Sequence, residues 1–129
     1  MRHEIPAMLA AGGGAIVNVS STAGLVGFPR HPAYAASKHG VVGLTRTAAL
    51  EYAKKGIRIN AVCPGFTLTP MVQQMIDAGL PQAQLESRVP MGRLGTVDEV
   101  AATIVYLCSP ASAFMTGHAL AIDGGISAG

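Results

Sequence analysis

The chain has 129 residues, of which 50% are apolar and 12% charged, and its formal net charge is +2. This composition predicts one folded domain with a substantial core and argues against disorder. The basic residues are scattered, which excludes a nucleic-acid footprint, and no apolar run approaches the roughly 18 residues that span a bilayer. The N-terminus has no signal-peptide pattern, so we expect a cytoplasmic protein without nucleic-acid or membrane partners.

The first part of the sequence predicts a helix end, a strand and a long helix. Residues Met1–Ala11 are typical of the tail of a helix. Ala15–Ser20 is short and β-branched, which predicts a strand buried on both faces. A turn-rich stretch, Ser21–Pro32, leads into a helix over Pro32–Lys55 that begins at a proline and stops at Gly56.

The remaining sequence continues the alternation of strands and helices. A capping box, Thr96 to Glu99, predicts the start of one helix, and Phe66–Leu94 is less regular. The predicted elements are a strand at Arg58–Cys63, a short helix at Pro70–Ala78, a helix from Thr96 to Ser109 and a strand at Ala119–Ile122. This alternation predicts an α/β fold with about three parallel strands, which is half of a doubly wound sheet.

The sulfur and imidazole side chains predict no metal site. Cys63 and Cys108 lie far apart, and we expect both to be buried small side chains in a reducing compartment. The four histidines are also dispersed along the chain. His31 is the best candidate among them for a catalytic role, because it lies on the predicted loop before the long helix.

Ser21, Tyr34 and Lys38 are the candidate catalytic residues. Ser21 follows the carboxyl end of a predicted strand, where open α/β sheets bind ligands. Tyr34 and Lys38 lie one helical turn apart and share a face. Opposite charges about 5 Å apart at an effective dielectric constant of about 20 attract by about 3 kcal/mol, which favours a phenolate that accepts and returns a proton. Tyrosine and lysine at this spacing are also common on helix surfaces, so the three residues alone do not establish a site.

The motifs around these residues give them context. In chain order they are Asn18–Gly24, Tyr34–Lys38, Asn60–Gly65, Gly92–Gly95, Thr116–Gly117 and Asp123–Gly125. Together, and at this spacing, they strongly resemble the classical short-chain dehydrogenases/reductases. The resemblance implies that residues 1–129 are the C-terminal part of a single Rossmann-like domain whose N-terminal half is absent.

The resemblance also implies roles for individual residues. Tyr34 is similar to the family's catalytic acid–base, and Lys38 to the lysine that activates it and binds the nicotinamide ribose. Ser21, favoured over Ser20 by its spacing to Tyr34, resembles the residue that orients the reacting oxygen. The cofactor implied is NAD or NADP, and the segment along its nicotinamide end is matched by Pro64, Gly65, Thr67 and Thr69.

The glycines do not supply a phosphate-binding loop. A dinucleotide site needs a glycine-rich turn between a strand and a helix, whereas Gly12–Gly14 precedes a strand and predicts only a connecting turn. We therefore expect the isolated chain to bind no dinucleotide with useful affinity and to show no turnover. We also expect its first strand to present an unpaired apolar edge.

Two other functions compete with an oxidoreductase. A serine hydrolase would need a Gly-x-Ser-x-Gly elbow, and the sequence around Ser21 lacks the leading glycine. A non-catalytic assembly fragment or pseudoenzyme is the other alternative, because the long helix is rich in small residues that permit close packing. The resemblance implies a homodimer or homotetramer for the full-length protein.

The implied substrate is a small-molecule alcohol or ketone. Phe66–Leu94 is predicted to form part of its pocket, with an apolar lining at Phe66, Leu68, Met71, Met75 and Leu80. Apolar residues there are equally expected from packing. The C-terminal part resembles sugar and cyclic-alcohol dehydrogenases at least as closely as reductases of 3-oxoacyl carriers.

Overall fold

Three parallel strands form the centre of the computed structural model, which describes residues 1–129. The strands are β1 (Gly14–Val19), β2 (Ile57–Pro64) and β3 (Ala119–Ile122), in the spatial order β1-β2-β3. Val19 pairs with Val62, and Pro64 pairs with Ile122, so the carboxyl ends of all three strands meet at one edge of the sheet. The predicted α/β fold with a parallel sheet is confirmed.

Five α-helices accompany the sheet. They are α1 (Glu4–Ala10), α2 (Pro32–Tyr52), α3 (Pro70–Asp77), α4 (Gln82–Glu86) and α5 (Val97–Cys108). The predicted stop of α2 is confirmed, because a 3-10 turn follows it and Gly56 adopts a left-handed conformation with φ of 76°. The short helix α4 was not predicted, since no side chain caps it. No helix combines the length and apolar character that crossing a bilayer requires.

The core lies between β2 and α2. Ile57 and Ile59 of β2 are fully buried and pack against Ala48 and Ala49 of α2. The two alanines let the helix axis approach the strand closely, which fixes α2 across the sheet. The position of every residue on α2 is therefore set by the central strand.

Asn60 joins β2 to the segment before β3 by hydrogen bonds. Its side chain is buried, donates a hydrogen bond to the Met115 carbonyl (2.9 Å) and accepts one from the His118 amide (3.0 Å). Arg58 donates to the carbonyl oxygens of Ser109 and Met115. These bonds satisfy polar groups that a parallel crossover leaves without ladder partners.

Two burial predictions are wrong. The strand β1 is half-buried, not buried on both faces, and Val19 is 53% exposed, because β1 pairs with β2 on one side only. Cys108 is exposed, because it lies on the outer face of the last turn of α5. Cys63 in β2 is buried as predicted, and burial raises the pKa of its thiol.

Candidate active site

The two adjacent serines after β1 have different surroundings. Ser20 is buried, and its hydroxyl donates to the Lys38 carbonyl oxygen at 2.9 Å. The Ser21 Oγ accepts a hydrogen bond from the Ala23 amide at 3.2 Å. The Ser20 proton is therefore used inside the protein, whereas the Ser21 proton remains free to donate to a ligand.

Tyr34 and Lys38 share one face of α2, at the carboxyl edge of the sheet. The Lys38 Nζ lies 5.6 Å from the centroid of the Tyr34 ring and donates to the Val19 carbonyl oxygen at 3.3 Å. Tyr34 is 45% exposed, and its hydroxyl bonds to no group of the chain. The ammonium therefore has a fixed anchor at the end of β1, and the phenol is open to a ligand.

Gly24 sets the distance between the Ser21 turn and α2. A Cβ atom built on Gly24 would lie 2.5 Å from the Ser20 Oγ and 2.7 Å from the Lys38 carbonyl oxygen. Any side chain there would push the turn away from the helix. The sequence around Gly24 therefore permits the Ser20–Lys38 hydrogen bond and brings the Ser21 turn next to Lys38.

The loop before α2 places the Phe28 ring beside Tyr34 and the His31 ring beside Phe28. The Phe28 ring centroid lies 6.1 Å from that of Tyr34 and 5.1 Å from that of His31. Arg30, between them, adopts a positive φ of 67°, an uncommon conformation for a residue with a side chain. His31 is exposed and its Nδ1 lies 3.0 Å from the Pro29 carbonyl oxygen, so it lines the loop beside the tyrosine.

Pro64 and Gly65 end β2 close to the end of β3. The Gly65 amide donates to the Ile122 carbonyl oxygen at 3.0 Å. A Cβ atom on Gly65 would lie 2.8 Å from the Asp123 Cα and Cβ atoms. The close approach of β3 therefore requires a glycine at position 65, independently of any ligand.

Thr67 and Thr69 occupy different environments. Thr67 is 9% exposed, and its hydroxyl donates to the Gly65 carbonyl oxygen at 3.2 Å. Its backbone N–H makes no backbone hydrogen bond. The Thr69 Oγ1 accepts from the Val72 amide at the start of α3, which leaves the hydroxyl proton free. Thr67 thus offers a main-chain donor, and Thr69 a side-chain donor.

These donors fit the nicotinamide end of a dinucleotide. The Lys38 ammonium has protons beyond the one given to Val19 and suits ribose hydroxyls, while the Thr67 amide and the Thr69 hydroxyl suit the carboxamide oxygen or a phosphate. No glycine-rich turn between a strand and a helix accompanies them, since Gly12 and Gly13 precede β1 and Gly14 begins it. The residues present therefore match one end of such a cofactor.

Thr22 and Asp123 were not predicted as site residues. The buried Thr22 hydroxyl lies 3.2 Å from the Pro64 carbonyl oxygen and 3.4 Å from the Asp123 Oδ2. Burial of Asp123 opposes ionisation, but hydrogen bonds from Ser127, Gly125 and Thr22 outweigh it and hold the carboxyl pKa below its ordinary value. No local motif predicts this contact, because it joins residues from the two ends of the chain.

Arg93 was overlooked as the partner of Glu99. Its guanidinium donates two hydrogen bonds to the Glu99 carboxylate, at 2.6 and 3.0 Å. The predicted capping box is present, with the Thr96 amide donating to Glu99 at 2.8 Å. The hydrogen bonds from Arg93, and then those from Thr96, lower the Glu99 pKa from 4.5 to about 2.

A family model described as enoyl-(acyl carrier protein) reductase matches residues 1–127. Cyclohexanol dehydrogenase of Acinetobacter sp. (strain SE19) is 50% identical over 124 residues, covering 96% of this chain and 47% of the relative. Cis-4-hydroxycyclohexanecarboxylate dehydrogenase of Sinomonas cyclohexanicum is 49% identical over 130 residues, covering 98% of this chain and 50% of the relative.

Among solved structures, ElxO with NADP bound superposes with a TM-score of 0.96 at 45% identity, over 100% of this chain and 52% of that one. The chain thus spans about half the length of the curated relatives it matches. The family model, the relatives and the parallel sheet agree with the resemblance seen in the motifs. The chain belongs to the short-chain dehydrogenase/reductase family.

Proposed function

We propose that this chain carries the proton-transfer part of an oxidoreductase that interconverts an alcohol and its carbonyl compound with NAD or NADP. The observation that supports this most is the placement of Lys38. Its ammonium is anchored on the Val19 carbonyl oxygen at the sheet edge and lies 5.6 Å from the ring of an exposed tyrosine, Tyr34. An exposed phenol at this edge of the sheet can reach the oxygen of a bound substrate, as an acid–base must.

Tyr34 acts as the acid–base. In the oxidative direction its phenolate oxygen takes the proton from the substrate hydroxyl while the carbon–oxygen double bond forms, and the hydrogen on the same carbon leaves as a hydride. When bound, the nicotinamide supplies the acceptor for that hydride. In the reductive direction Tyr34 returns the proton to the carbonyl oxygen as the hydride arrives.

Ser21 and Lys38 support this transfer. The free proton of Ser21 donates to the reacting oxygen and holds it near the phenol, a restriction of position that lowers the barrier. Lys38 places its positive charge beside Tyr34 and would hold the ribose of the cofactor. Pro64, Gly65, Thr67 and Thr69 receive the nicotinamide end, through the Thr67 amide and the Thr69 hydroxyl.

A secondary alcohol on a six-membered ring is the proposed substrate class. Three apolar side chains near the end of β2, Leu68, Met71 and Met75, are exposed, Met71 to 68%. Flexible methionines adapt to the outline of an apolar ring. Two relatives at 49–50% identity are named as dehydrogenases of cyclohexane-ring alcohols, which agrees with a cyclic substrate.

Steady-state turnover by the product of the complete reading frame tests the proposal. The assay follows nicotinamide absorbance with NAD⁺ and NADP⁺ on cyclohexanol and on open-chain secondary alcohols, and the reverse reaction on a 3-oxoacyl thioester. We expect kcat/KM for cyclohexanol to exceed that for open-chain alcohols of equal carbon number by about tenfold, as the loss of one or two apolar contacts produces. A preference for the thioester would refute the substrate class but not the reaction.

Assembly through α2 is the second candidate role. Leu44 and Leu50 are exposed on this helix, Leu50 to 84%, and its small residues permit close approach of another helix. If the folded, full-length protein turns over no alcohol with either cofactor, the oxidoreductase proposal fails and assembly becomes the better account. Light scattering then decides between a monomer and the homodimer or homotetramer that the family implies, with Leu50→Glu as the dissociating variant.

A further inference from the structure

Thr22 joins the ends of all three strands. It follows Ser21 after β1, and its Oγ1 reaches the Pro64 carbonyl oxygen at the end of β2 (3.2 Å) and the Asp123 Oδ2 after β3 (3.4 Å). We propose that Thr22 is a positioning residue whose hydroxyl, held by Asp123, aligns the Ser21 turn with the Pro64–Gly65 turn. This inference rests on the proposed function, because those two turns are the ones assigned to substrate and cofactor.

The Asp123 carboxylate is itself fixed. Its Oδ1 accepts from the Gly125 amide and its Oδ2 from the Ser127 amide, each at 3.0 Å. Both bonds come from the turn that follows β3, so the carboxylate cannot rotate away without breaking that turn. Its Oδ2 is therefore a stationary, charged acceptor, which shares the single Thr22 hydroxyl proton with the Pro64 carbonyl oxygen.

The Thr22 hydroxyl aligns the turns and does not hold them together, because other contacts already bring the turns into close packing. Gly65 and Asp123 already approach so closely that a Cβ atom on the glycine would lie 2.8 Å from the Asp123 Cα. Backbone bonds, Gly65 amide to Ile122 and Ser20 amide to Val62, hold the strand ends together. Loss of the Thr22 hydroxyl should therefore shift the turns by fractions of an ångström, which matters to catalysis more than to folding.

Four variants of the full-length protein test the alignment. Thr22→Val removes the hydroxyl at constant shape, Thr22→Ser keeps it, Asp123→Asn removes the charge, and the fourth combines Thr22→Val with Asp123→Asn. We expect kcat to fall about tenfold in Thr22→Val and to return to within about twofold of wild type in Thr22→Ser, with the melting temperature little changed in both. Thr47→Val, at an exposed position of α2, is the matched control and should keep full activity.

The double variant decides whether the two residues act as one unit. A loss of kcat no larger than that of either single variant supports the pairing, and losses that multiply overturn it. If Thr22→Val folds poorly, the kcat values of Asp123→Asn and Thr22→Ser still test the proposal. Failure of Thr22→Ser to restore kcat would show that the methyl group, not the hydroxyl, matters, and would also overturn the proposal.

Hydrogen exchange on the cofactor-free protein gives a readout independent of turnover. We expect amides of both turns, residues 19–25 and 63–68, to exchange faster in Thr22→Val and to recover in Thr22→Ser. Unchanged exchange in both turns contradicts the alignment. Absence of turnover in the wild type, by contrast, refutes the proposed function alone, and the exchange experiment still tests the link among Thr22, Pro64 and Asp123.

Discussion

The carboxyl edge of the sheet and the segment Phe66–Leu94 are held in opposite ways. Around Lys38, the Ser20 hydroxyl, the Val19 carbonyl and a side-chain-free Gly24 fix the turn and the helix to each other. The segment is held at its ends, where Gly95 exchanges two backbone hydrogen bonds with Phe66 and Leu68. Its Leu85 and Val89 side chains are buried, but Leu68, Met71 and Met75 are exposed. The difference separates the rigid, proposed proton-transfer site from the proposed substrate wall, which tolerates change.

Removal of the Tyr34 hydroxyl should cause the largest loss of turnover. We expect Tyr34→Phe to lower kcat by about a thousandfold, since a positioned acid–base contributes about 10² to 10⁴. The melting temperature should hold, because the Tyr34 hydroxyl bonds to no protein group. The measurement is turnover of the full-length protein beside a Tyr106→Phe control on α5. Retention of more than a tenth of kcat would contradict the assigned role.

Truncation of a buried side chain in β2 should show how much the packing of β2 against α2 stabilises the fold. We expect Ile59→Ala to lower the free energy of unfolding by about 2–5 kcal/mol, because Ile59 is fully buried against α2. Met71→Ala, on the exposed segment, should change it by less than about 0.5 kcal/mol. Urea unfolding of the two variants gives both values. Equal losses would mean that the two regions are not held differently.

The strands and long helices followed from local pattern, and the site's supporting contacts did not. β3 was predicted at its observed bounds, and Pro32 marked the start of α2, because apolar periodicity and proline act within a few residues. Ser20 was separable from Ser21 only by spacing. The Ser20–Lys38 and Thr22–Asp123 contacts depend on how distant segments meet. The unpaired edge of β1 was predicted, but its half-buried state was not, since an apolar run does not reveal how fully other elements cover a strand.

Acid should remove the ion pair that ties the end of the segment Phe66–Leu94 to α5. The Glu99 pKa is about 2 in the folded chain against 4.5 ordinarily, so its ionised form stabilises the fold fully above about pH 4.5, and that contribution disappears as the pH falls through about 2. We expect Arg93→Gln to raise the Glu99 pKa towards 4.5, because the guanidinium is the largest cause of the shift. Carboxyl NMR titration measures it, and an unchanged value in Arg93→Gln refutes the assignment.

Substitution in the substrate wall should have the smallest effect. We expect Met75→Ser to raise KM for a cyclic alcohol several-fold with kcat and cofactor KM little changed, since one apolar contact is worth about 1–3 kcal/mol at most. Gln73→Ser, on α3 but polar, is the matched control. Steady-state kinetics at varied alcohol and cofactor concentrations separate the constants. A selective fall in kcat would place Met75 in the chemistry rather than in the wall.

The unequal burial of the two cysteines should allow one of them to be labelled selectively. Cys63 lies in β2 with its thiol pKa raised by burial, while Cys108 is exposed at the end of α5. Thiolate is the reactive form, and access and ionisation both disfavour Cys63. Of these two cysteines, only Cys108 should therefore react with a maleimide dye in the folded chain, so that a fluorescent reporter can be installed at the end of α5 without any mutation.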